Sequence, residues 1–166
     1  MKTLRPVIQV LILMLIFVTQ VYAQDNTLTK EQKKEQLKQL LESKNYIFTA
    51  QSAYTARGRM VQLTSEYFLK VEGDSLESHL PFFGVAYNAP FSSTGSPLSF
   101  ASSDFNHSVK ESKRGRIEVT IHLNKPDDPD IMNLSVSSGG YADLRVISTN
   151  RQAMSFYGEL RPLKSK

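Results

Sequence analysis

The sequence predicts a mainly β domain behind one N-terminal helix. Three observations carry this: an apolar period of 3.6 residues confined to 30–43, a period of two from Tyr46 almost to the C-terminus, and turn residues between the alternating runs. About eight antiparallel strands fit the pattern, and such a meander must hide its edges. The expected form is a curved, barrel-like sheet with the helix over an open end or edge. A two-sheet sandwich is the alternative that periodicity leaves open.

Ahead of the domain, Lys2 and Arg5 precede an apolar run over 7–18, and Val21-Tyr22-Ala23 places a small residue at the cut of a secretory signal. Residues 1–23 are therefore expected to be a signal peptide and 24–166 a single domain, periplasmic or secreted. The run is shorter than the roughly 18 apolar residues of a spanning helix. The chain has no cysteine, which rules out a lipoprotein anchor, disulfides, thiol catalysis and cysteine-ligated zinc. The 20 Lys and Arg stand against 16 Asp and Glu; once Lys2 and Arg5 leave with the signal, 18 face 16, a net of +2. That balance gives no broad footprint for nucleic acid. A monomer without cofactor is expected.

Thr29 and Gln32 have the spacing of a capping box, starting a helix over 30–43 whose Leu37, Leu40 and Leu41 share one face. The alternation then gives runs at 46–51, 60–64 and 67–72. Gly73-Asp74 suits a tight turn into 75–80. Runs at 105–110 and 117–123 flank a basic tip with Lys110, Lys113, Arg114 and Arg116. Pro126-Asp127-Asp128-Pro129 interrupts pairing, and 131–137, 141–148 and 154–160 complete the pattern after turns at Gly139-Gly140 and Asn150-Arg151.

One segment departs from the rest. Residues 78–103 carry no Asp, Glu, Lys or Arg in a chain that is 22% charged, and they hold Phe82, Phe83, Tyr87, Phe91 and Phe100 among prolines and glycines. A solvated loop has no reason to avoid charge, so these aromatics either close one end of the core or form a binding surface. Asn150, Arg151 and Gln152 are candidates to lie beside them, Asn150 forming the turn and Arg151 bracing it.

The stretch Pro81-Phe82-Phe83-Gly84-Val85-Ala86-Tyr87-Asn88-Ala89-Pro90, with Gly139-Gly140-Tyr141-Ala142 and Asn150-Arg151-Gln152-Ala153-Met154-Ser155-Phe156-Tyr157-Gly158, resembles the domain of unknown function 4251 family. Gln51-Ser52 and Leu63-Thr64-Ser65 fit it too. The resemblance implies an exported chain with a Lys/Glu-rich helix followed by a β domain. It implies no activity, ligand or catalytic residue. It also implies a basic residue where this chain has Val85.

Chemistry-bearing motifs are sparse. The sequence has no Gly-x-Ser-x-Gly elbow, no His-Glu-x-x-His pair and no phosphate-cradling glycine loop. Asp127, Asp128 and Asp130 crowd one turn without the ligand order of a calcium loop. The reading that remains is a non-enzymatic exported domain that binds a small ligand, glycan or envelope protein through Phe82, Phe83, Tyr87, Phe91 and Arg151. A small hydrolase using His79 or His107 with a nearby acid is the alternative. A structural envelope protein is a third.

Overall fold

The computed structural model describes residues 29–55, 57–87, 96, 98–112, 115–124 and 129–163. Helix α1 spans Lys30–Glu42, and Thr29 and Gln32 close the capping box reciprocally. Nine strands follow among the described residues: β1 Asn45–Tyr54, β2 Met60–Glu72, β3 Ser75–Leu80, β4 Leu98–Ser102, β5 Phe105–Glu111, β6 Ile117–Leu123, β7 Ile131–Val136, β8 Tyr141–Ile147 and β9 Met154–Pro162. All belong to one antiparallel sheet ordered β4-β3-β2-β1-β9-β8-β7-β6-β5.

The order explains the curl. Because β1 and β9 are antiparallel, counting alternate directions outward makes the two edge strands, β4 and β5, run in the same sense. Yet only Ser103 and Asp104 separate them. Three Cα steps reach at most about 11 Å, so opposite edges of the sheet must meet at that corner. One edge runs directly into the other, and the sheet is a curled half-barrel with no second layer of strands among the described residues.

The concave face is the core. Tyr46 and Phe48 on β1, Leu69 and Val71 on β2, Met132 and Leu134 on β7 and Phe156 on β9 are fully buried. Their neighbours in sequence face out, as a period of two requires. Helix α1 covers the open side by packing on β1 and β5, with Leu37 and Leu41 inserted into the same core. Lys34 and Glu111 tie the helix to the β5 edge.

Two differences from the sequence reading have clear causes. The runs at 60–64 and 67–72 are one strand, β2. Between Ala50 and Ser52, β1 advances two residues while β2 advances from Tyr67 to Gln62, so a bulge at 63–66 erases the alternation. Strand β4, five residues long, lies inside the neutral segment, where the alternating runs counted from the sequence included no strand. Leu98 and Ser102 are buried and Phe100 packs on the core, but the strand is short and begins directly after Pro97.

Candidate functional site

The neutral segment splits at Gly84. Before it, Phe82 turns inward and packs against the core. Beyond it, residues 85–87 form a short ribbon with residues 150–152. The Tyr87 amide donates to the Asn150 carbonyl at 2.8 Å and the Gln152 amide to the Val85 carbonyl at 2.9 Å, flanking the Ala86–Arg151 bridge. The Gln152 side-chain carbonyl also accepts the Val85 amide at 3.2 Å. Gly84 is required by space: a Cβ there would lie 2.9 Å from the Phe82 ring and 3.2 Å from the Gln152 Cβ.

This ribbon sorts the side chains. Ala86 and Arg151 share one face of it, and Val85 and Tyr87 the other. Arg151 is 8% exposed, whereas Phe83, Val85 and Tyr87 are 44%, 54% and 65% exposed. Three largely apolar side chains thus stand in water, and the backbone bearing Val85 and Tyr87 is held by hydrogen bonds. Of the residues singled out from the sequence, Phe83 and Tyr87 are displayed, Phe82 is packed, Arg151 is buried beside them, and Phe91 lies outside the described residues. Val85 was not among the candidate site residues; it is exposed, as is Ala86 across the ribbon, which alternation in a Pro- and Gly-rich stretch did not reveal.

The histidines occupy three different settings. His107 on β5 faces inward, its Nε2 3.0 Å from the hydroxyl of fully buried Tyr46. Burial first, and then the Lys44 ammonium, lowers its pKa below the ordinary imidazole value. Burial pushes the Tyr46 phenol well above its usual range. His79 is on the outer face of β3, with Nδ1 3.0 Å from Ser99 Oγ and its ring stacked on Tyr67. His122 is exposed on β6. Among the described residues, no carboxylate orients any of the three.

The basic hairpin and the acidic turn also have partners. Arg116 bonds the Ser135 hydroxyl and carbonyl and Asp143, while Asp130 accepts from the amide and hydroxyl of Thr149. Lys113, Arg114, Asp127 and Asp128 lie outside the described residues. Among the described residues, no three His, Asp or Glu side chains gather as metal ligands.

Fold and segment together define the class: a one-sheet half-barrel β domain, capped by a helix, that holds an aromatic-bearing segment against the turn before its last strand. The chain belongs to the family described as Domain of unknown function (DUF4251), whose family model matches residues 28–160. A crystal structure of a DUF4251 family protein from Bacteroides eggerthii DSM 20697 is similar, with a TM-score of 0.54 at 17% identity, over 78% of this chain and 87% of that one. At that identity the likeness concerns the fold. No curated protein matches the chain.

Proposed function

We propose that this is an exported, non-enzymatic binding domain whose contact surface is the segment bearing Phe83, Val85 and Tyr87. The observation that carries the reading is the exposure of those three side chains, two of them, Val85 and Tyr87, on backbone pinned to residues 150–152 and Phe83 immediately before it. Aromatic and aliphatic groups fixed in water before contact lose little entropy on binding, which is how interface anchors act. The export signal at residues 1–23 supports an envelope setting, periplasmic or secreted, with a glycan, small ligand or envelope protein as partner. The histidine pairs, each without an orienting acid among the described residues, support the non-enzymatic reading.

A photoreactive phenylalanine analogue at Tyr87, activated in intact cells, tests this. The expected result is a discrete adduct that weakens in a Phe83→Ala background and is missing when the analogue replaces Glu118, an exposed position on β6. Equal labelling from both positions, or none from position 87, refutes the proposal. Export is checked separately: the chain isolated from cells is expected to begin at Gln24.

A further inference from the structure

A second feature lies on the convex face, on regular strands. Ser155 of β9 stands between Tyr54 of β1 and Arg145 of β8, paired in register with both. A small side chain flanked by two large ones on adjacent strands leaves a slot about two strand spacings wide, or about 10 Å between the outer Cα atoms. That slot is a depression of about 270 Å³ lined by Tyr54, Thr55, Arg145, Ala153 and Ser155. Tyr54, 40% exposed, forms one wall.

The unpaired charge in its lining is positive. Arg145 has no ion-pair partner among the described residues, whereas Asp143, two residues earlier on the same face, is engaged by Arg116. Exposed Arg57 and Arg59 belong to the β1–β2 turn, which is joined to the lining through Thr55: its amide donates to the Arg59 carbonyl at 3.0 Å, and its hydroxyl accepts the Arg59 amide at 3.2 Å. The lining therefore combines one aromatic wall, a guanidinium fork and two hydroxyls at a half-open site. A guanidinium binds carboxylate in a bidentate, planar fashion. An aromatic wall beside hydroxyls suits a ring with one apolar face and a hydroxylated edge. A purely apolar ring would leave the Ser155 hydroxyl without a partner and the Thr55 hydroxyl, which already accepts the Arg59 amide, with no acceptor for its own proton.

We propose that this slot binds an acidic saccharide, one sugar ring lying against Tyr54 and its carboxylate on Arg145. Exposed Tyr157 and Tyr141, stacked with ring centroids 6.1 Å apart, continue the aromatic surface across β9 and β8 for adjoining sugars. The site shares no residue with the Phe83–Val85–Tyr87 surface and stands independently of it.

The test is an NMR and calorimetric titration of the protein with a uronic-acid trisaccharide, the neutral hexose trisaccharide and sodium acetate. The expected result is shifts confined to the amides of Tyr54, Arg145, Ser155 and their neighbours, with the acidic sugar the tightest of the three. Arg145→Gln is expected to weaken the acidic sugar about tenfold and remove its advantage over the neutral one, the scale of one lost charge-assisted pair. Tyr54→Ala is expected to weaken both sugars, and Phe83→Ala/Tyr87→Ala to weaken neither. No shifts at the slot, an unchanged affinity in Arg145→Gln, or acetate binding as tightly as the acidic sugar overturns the proposal. Each variant's amide spectrum is compared with wild type, and Arg145→Lys serves as a second variant if Arg145→Gln disturbs the sheet.

Discussion

Gly158→Ala should be among the most damaging single-methyl additions in this protein. Gly158 lies on β9 opposite Ala50, where β1 bulges around Gln51. A Cβ at this position falls 1.9 Å from the Thr49 carbonyl oxygen, 2.9 Å from its carbonyl carbon and 3.0 Å from the Ala50 Cα. All three are backbone atoms, so no rotamer change relieves the contact. Reaching ordinary contact at 3.4 Å needs a local separation of β1 and β9 of about 1.5 Å. This pair joins the β1–β4 half of the sheet to the β5–β9 half. Overpacking costs about 1–3 kcal/mol and two stretched ladder bonds about 1 kcal/mol each, so a loss of about 3–5 kcal/mol is expected. In urea, with a slope of about 2 kcal/mol per molar, the unfolding midpoint should fall by about 2 M. Gly139→Ala is the control: its nearest atoms are 3.7 and 3.9 Å away, and a change within about 0.5 kcal/mol is expected. A Gly158→Ala midpoint within about 0.2 M of wild type would refute the bulge-against-glycine packing.

Three further outcomes follow from the same packing. Leu41→Ala, emptying a fully buried position where α1 meets the core, should cost about 2–5 kcal/mol in urea unfolding, with loss of helical signal at lower denaturant. Phe82→Ala should destabilise by about 1–3 kcal/mol and Phe83→Ala by no more than about 0.5, since the first ring packs inward and the second is exposed. Because the folded protein holds the His107 pKa below 6.5, the unfolded chain takes up the proton first. The stability present above that pH should therefore decline as pH falls through 6.5 toward the folded value. His107→Gln should flatten that part of a stability-pH profile, and an unchanged slope would contradict the assignment.

Much of the fold was legible because one sheet face is wet and the other dry. Tyr46, Phe48 and Ala50, then Ile117, Val119, Ile121 and Leu123, write the period of two directly into the chain. The capping box fixed the helix start equally well. What was hidden is long-range. The bulge at 63–66 depends on the register between β1 and β2, and the junction of the two edges at Ser103 and Asp104 depends on the pairing of β1 with β9. The site was half legible. An uncharged aromatic stretch drew attention to residues 78–103, but only the packing of Phe82 on the core and the pairing of 85–87 with 150–152 tell inward Phe82 from displayed Phe83, Val85 and Tyr87. The slot at Ser155 carried no sequence signal, because Tyr54, Arg145 and Ser155 meet only across three strands.

If the aromatic surface is built before any partner arrives, amide hydrogen exchange of the free protein will show it. Protection is expected at Tyr87 and Gln152, whose amides close the ribbon at 2.8 and 2.9 Å, and it should persist in Phe83→Ala. Exchange of both amides at the rate of an unstructured chain would contradict a surface built in advance, because the exposed side chains would then have no fixed backbone to present them.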